Sequence, residues 1–280
     1  IAVIDVRRAR VSRIVSMGLR DHSRPGAGID ASDQDGVIDI APRPVLGIPM
    51  PDGIESFRLK GTDYIITANE GDAREWGSFA DVGRLRASTL QGANLQIPGF
   101  DGAALAQNTS LGRLNISLTD GWDGPILRQP HSFGSRSVSI LRPDGTLVWD
   151  SGDAFERVTA AQRPEVFNVS NSNNTFDNRS DDKGPEPEDV TVGRIDGRTY
   201  AFVALERVGG LMVLDITDPA KGRVVRWITT RDYAADPATT YSGPEIVRFL
   251  TRSQSPTGRP LIVFSNEVSG SIVFLSPTGG

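Results

Sequence analysis

Short apolar runs recur along this chain, each closed by a carboxylate. Tyr200-Ala-Phe-Val-Ala-Leu-Glu206 and Leu261-Ile-Val-Phe-Ser-Asn-Glu267 are β-branched and aromatic stretches of this kind. A glycine-containing turn and a second apolar run follow each, which is the signature of a hairpin. Tyr64-Ile-Ile-Thr-Ala-Asn-Glu70 opens in the same way and diverges after Gly71-Asp72. A proline and an acid precede every copy: Pro51-Asp52, Pro187-Glu188 and Pro244-Glu245. From this acid to the closing glutamate the interval is 18 residues in the first two copies and 22 in the third. The turn Ser253–Gly258 absorbs the difference.

This rhythm predicts an all-β fold, a β-propeller of four-stranded blades in which the innermost strand comes first. Ile1–Val6 with Val11–Val15 mirrors Leu211–Ile216 with Val224–Ile228, so residues 1–18 are expected to form the outer half of a further blade. Residues 1–280 would then hold three to four blades of one propeller domain, with further blades expected upstream. Between Glu70 and Pro187 the rhythm breaks, and residues 77–110 read as a loop excursion. Strands are expected over 112–118, 135–141 and 146–150, a short helical turn over 153–162, and a loop over 168–187.

Composition narrows the function. No run of eighteen apolar residues is present, so no membrane span is expected in this segment. A net charge of −5 argues against a nucleic-acid partner, because phosphate binding needs a basic surface. Cys is absent, which excludes disulfides and thiolate chemistry. The two histidines, His22 and His131, sit in separate loops and are expected at the surface, so neither a catalytic triad nor a zinc site is indicated.

Acidic segments carry the candidate chemistry, because carboxylates gathered from loops suit divalent cations, calcium above all. Asp30, Asp33 and Asp35 alternate before Gly36, although Ala31 and the lack of a closing glutamate exclude an EF-hand. Glu70 and Asp72 form a second group, and Asp181, Asp182, Glu186 and Glu188 a third. In the third, Pro185 and Pro187 are expected to hold the carboxylates away from Arg179 and Lys183. A fourth group pairs Asp120 and Asp123 with Asp150 and Asp153. The recurring acids Asp52, Glu188 and Glu245, with Glu70, Glu206 and Glu267, are expected to face a common channel and focus a negative field there. The bland alternative is that each accepts backbone N–H groups at its own turn.

Several phrases resemble the choice-of-anchor I domain family. They are Asp21-His-Ser23, Asp30-Ala-Ser-Asp-Gln-Asp-Gly36, Thr67-Ala-Asn-Glu-Gly-Asp72, Ser180-Asp-Asp-Lys-Gly-Pro-Glu-Pro-Glu188, Gly197–Phe202, Leu205-Glu-Arg207 and Asn266–Gly270. That family is similar to cell-surface glycoproteins linked to biomineralisation, and some bacterial members are labelled alkaline phosphatases. The resemblance implies a secreted or surface-anchored, seven-bladed propeller of which this is the C-terminal part. It carries no active site across. Asp120–Gly124 is shorter and less acidic than the family's usual stretch, and Glu245 lacks the acidic flank of Glu188.

The function expected is a calcium-binding extracellular, cell-surface or periplasmic propeller with a structural, adhesion, assembly or mineral-contact role, its partners divalent cations and other surface or matrix proteins. The alternative is a calcium-dependent phosphoesterase, with Arg74, Arg179 and Lys183 meeting the phosphate.

Overall fold

Backbone pairing begins with the turns. In the computed structural model, which describes residues 1–277, Ile54–Leu59 pairs antiparallel with Thr62–Ala68 across Lys60 and Gly61. Both turn residues have positive φ, the conformation of a two-residue hairpin turn whose twist matches its strands. Asp196 and Gly197 do the same between Pro187–Ile195 and Arg198–Leu205. These matching turns produce the repeated 18-residue interval. The third hairpin, Pro244–Leu250 with Leu261–Asn266, closes through residues 251–260 and gives 22.

Each hairpin starts a sheet. Sheet I orders its strands Ile54–Leu59, Thr62–Ala68, Val138–Leu141 and Leu147–Asp150. Sheet II orders Pro187–Ile195, Arg198–Leu205, Leu211–Asp215 and Arg223–Ile228. Sheet III orders Pro244–Leu250, Leu261–Asn266 and Ser271–Leu275, three strands among the described residues against the four expected. The chain is all-β, with short helices only. Among the described residues no helix is long and apolar enough to cross a membrane.

The expected excursion over 77–110 needs correcting. The chain leaves sheet I after Ala68 and returns at Val138, which pairs opposite Ala68 itself. The first copy is therefore split by an insertion of residues 69–137, and its outer half lies downstream of Glu70. The insertion contributes Gly83–Arg84, Asn115–Ile116 and His131–Phe133 to a mixed five-stranded sheet. Arg20–Asp21 and Leu46–Ile48 complete it, with His131–Phe133 parallel to Leu46–Ile48. Ile29, Val45, Leu85, Leu111, Leu114 and Leu127 form its own core. The strand expected over 112–118 shrinks to two residues, because its partners Gly83–Arg84 and His131–Phe133 are themselves very short.

The remaining expectations fare variously. Residues 1–18 contain a two-stranded hairpin, Ala2–Asp5 with Arg10–Ile14, and Arg13 donates to Pro143 O at 2.6 Å beside sheet I. Ala154–Gln162 is a nine-residue helix rather than one turn, and its Phe155 is buried in the core shared by sheets I and II. No strand or helix falls between Val166 and Pro187. His22 is buried, not superficial, with its Nδ1 2.8 Å from Ala27 O.

Adjacent sheets meet in a repeated way. Val192 N–H of sheet II donates to Glu55 Oε2 of sheet I at 2.9 Å. Phe249 N–H of sheet III donates to Thr191 Oγ1 of sheet II at 3.3 Å. Glu55 and Thr191 each stand three places after the recurring acid, and Val192 and Phe249 each four, so the step from I to II repeats from II to III. Two glycines permit the close approach. A Cβ on Gly53 would come within 2.5 Å of Asp189 Cα, and one on Gly193 within 2.4 Å of the Phe249 ring. That ring stacks on Phe202 at 5.8 Å.

Candidate metal centre

The proline-acid phrases open sheets II and III, where the backbone is bulged, and directly precede the first strand of sheet I. In sheet II the register slips between Pro187 and Val190, and in sheet III between Pro244 and Val247. Proline lacks an N–H for the ladder and suits this first position, while a bulge re-aims the side chain beside it. Glu70, Glu206 and Glu267 lie just beyond the ends of the partner strands. Six acids from equivalent places, Asp52, Glu70, Glu188, Glu206, Glu245 and Glu267, therefore line one cavity of about 600 Å³.

Charge in this cavity is unbalanced. Glu188 is buried with Oε2 lacking any hydrogen-bond partner. Burial, then a hydrogen bond with Asp52 and the charges of Glu70 and Glu206, push its carboxyl far above the usual range. Burial likewise raises Glu70, against the opposing pull of Lys183. Glu206 is pushed up to about 8, by burial first and then by Glu186. Its Oε1 accepts from Asn171 Nδ2 at 2.8 Å rather than from a backbone turn. Glu245 is raised by burial and by Glu267.

On one flank the charges close up. Lys183 Nζ contacts Glu70 and stands 2.9 Å from both Asp72 and Glu186. Arg179 Nε donates to Glu186 Oε1 at 3.0 Å, and Arg207 Nε lies 3.1 Å from Glu186 Oε2. Burial would raise the Glu186 carboxyl, but Lys183, Arg179 and Arg207 together hold it below the usual range. The expectation that Pro185 and Pro187 keep these acids off Arg179 and Lys183 is thus overturned. Glu186, with φ of 51°, turns inward between the two prolines and delivers its side chain to all three cations.

The other acidic groups lie elsewhere. Asp30 is fully buried and accepts Asp39 N–H at 2.7 Å. Burial and neighbouring Glu156 push it up to about 7. Asp33 binds Arg113 at 2.9 Å, which also holds Asp181 at 2.8 Å. Asp35 accepts Val37 N–H at 3.2 Å, and Asp182 meets Arg179 at 2.9 Å and accepts from Asn115 at 3.1 Å. Arg74 bridges Asp81 and Asp120, while Asp123, Asp150 and Asp153 pair with Arg128, Arg20 and Arg157. The fourth group therefore does not gather, because each member meets a separate arginine.

Sequence reasoning missed Arg207 and Asn171 beside Glu206, and Glu156, Arg136 and Asp177 near Asp30, where burial pushes Asp177 up to about 8. Arg207 had a signal, since it follows Glu206 directly within a recurring phrase. The other four carry none, because packing of distant segments sets Asn171 on Glu206 and Arg136 on Glu156.

A sequence profile of the choice-of-anchor I domain matches residues 1–219. The chain belongs to the choice-of-anchor I family. The chain is also 30% identical over 237 residues to the mesenchyme-specific cell surface glycoprotein of Strongylocentrotus purpuratus, covering 72% of this chain and 30% of that one. Gigasin-3a of Magallana gigas is 30% identical over 189 residues, covering 60% of this chain and 65% of its own. The chain thus spans less than two thirds of either relative. No solved structure matches this choice-of-anchor I chain.

Among the described residues two sets of acids have the spacing of ion ligands, Asp52 with Glu70 and Glu188, and Glu70 with Glu186 and Glu206. Both lie in the cavity region, and neither includes Asp30, Asp33, Asp35, Asp181 or Asp182.

Proposed function

We propose that this choice-of-anchor I chain is an extracellular or cell-surface scaffold whose central cavity binds calcium, with a structural, adhesive or assembly role toward other surface or matrix proteins. One observation carries the reading: six acids from equivalent places in the three sheets line one cavity, and the buried Glu188 Oε2 there has no partner. A buried carboxylate without a counter-charge must take up a proton or a cation. An all-oxygen ligand set in a roomy site favours a hard divalent ion. The repeated step between sheets supports a radial, propeller-like arrangement in which successive sheets contribute the same two acids. Extracellular placement follows from kinship with a protein named as a cell surface glycoprotein.

A phosphate-handling role would need cations free to meet an anion. Arg74, Arg179 and Lys183 are each bound to carboxylates, so nothing favours that reading.

Thermal melting with and without chelator tests the proposal. Saturating calcium is expected to raise Tm by about 5 °C or more, following from ligand linkage at a hundredfold excess over Kd. Glu188→Gln should abolish the shift. An identical Tm with calcium and with chelator in the parent chain would remove the reading.

A further inference from the structure

Glu70 belongs to both acid sets, and the two differ in what already stands among them. In the inner set, Glu70, Glu186 and Glu206, a cation is built in. Lys183 Nζ contacts Glu70 and lies 2.9 Å from Glu186 Oε2. Arg207 reaches Glu186 at 3.1 Å and Glu206 at 3.0 Å. Lys183 is buried among these carboxylates. In the outer set, Asp52 and Glu188 bind no lysine or arginine among the described residues, and Glu188 Oε2 has no partner.

We propose that Lys183 stands in for a second metal ion, so that the cavity holds one divalent cation, seated on Asp52, Glu70 and Glu188, with Glu70 shared between that ion and the lysine. This rests on the cation-binding reading above and adds its stoichiometry and ligand set. Two carboxylate oxygens let Glu70 face a cation on either side. A second divalent ion in the inner set would stand against a fixed ammonium, and like charges at that separation exclude each other. The lysine also needs no supply of free ion. The inner set therefore stays neutralised whatever the calcium concentration, and only the outer set responds to it.

Removing the lysine's charge while keeping its stem should open a second ion site. The full chain, stripped with chelator and titrated with manganese(II), allows bound ions to be counted by electron paramagnetic resonance and located by anomalous diffraction. Manganese takes the same oxygen ligands. The parent chain should hold one manganese in the cavity and Glu188→Gln none. Lys183→Met should hold two, the second among Glu70, Glu186 and Glu206, with dipolar coupling between the pair. Lys183→Arg, which keeps the charge, should stay at one. Two ions in the parent cavity, or one in Lys183→Met, would overturn the proposal. Should Lys183→Met fold only when manganese is present, the same count decides. If it does not fold at all, the counts in the parent chain and in Lys183→Arg decide, and two ions in either overturns the proposal. An empty cavity in the parent chain would sink the cation reading itself, and this inference with it.

Discussion

Around the Asp30–Asp35 loop each carboxylate meets a protein donor, Arg113 for Asp33 and backbone N–H groups for Asp30 and Asp35, whereas in the cavity Glu188 Oε2 meets none. Arg136 donates to Glu156 at 2.6 Å and to the carbonyls of Asp30 and Ser180, tying that loop to residues 168–180. Arg113 joins Asp33 to Asp181. In the cavity, six acids face a flank where Lys183, Arg179 and Arg207 are already committed to Glu186. Both regions are acidic loops by composition. What separates them is whether a guanidinium or a backbone N–H reaches each carboxylate, and for Asp33 that depends on packing against the distant Arg113. One region uses its acids to hold loops together, and the other keeps a buried carboxylate oxygen of Glu188 without a partner.

The largest effect should come from breaking the compensated region. Arg136→Met removes one partner of a buried pair and is expected to cost about 3–5 kcal/mol. Urea unfolding measures the loss, and added calcium should leave it unrestored. Recovery with calcium would mean that the two regions are not chemically distinct.

The response to pH should follow, with opposite signs in different places. Glu206 has a folded pKa of about 8 against an ordinary 4.5, so the folded chain holds a proton there that the unfolded chain has lost. Its contribution is full below about 4.5 and disappears as pH rises through 8. Glu70 and Glu188, raised by burial, act in the same direction. His22, beneath the five-stranded sheet, is lowered by burial from 6.5 to about 4. Its contribution is present above 6.5 and is lost as pH falls to 4, a change of about 3 kcal/mol. Ion-free protein should therefore weaken towards alkaline pH, and calcium should remove the part owed to Glu70 and Glu188 while leaving the Glu206 part and the acid limb unchanged. Chemical unfolding across pH 4 to 9, with and without chelator, checks both limbs.

The smallest effect belongs to Asp33→Asn. The Asp33–Arg113 pair is partly exposed, so its loss should cost within about 1 kcal/mol and leave calcium binding intact.

The sheets were largely legible in the sequence, because proline-acid starts and glutamate ends recur at a spacing that two-residue turns impose. The same phrases pointed to the six cavity acids. The insertion at 69–137 was not legible as such, since a split repeat looks like a decayed one. Nor was the fate of Asp33 and Asp181, whose partners Arg113 and Arg84 lie far away in the chain. Glu186 misled for a local reason. Two flanking prolines suggested an outward, stiff segment, yet its positive φ turns the side chain inward onto Lys183 and Arg179.

Direct calcium isotherms on two charge-neutralised variants test the contrast at its root. Asp52→Asn with Glu188→Gln and Glu245→Gln should lose the binding seen in the parent chain, while Asp33→Asn with Asp35→Asn and Asp181→Asn should keep it. Retained binding in the first variant and lost binding in the second would place the ion in the wrong region and contradict the central claim.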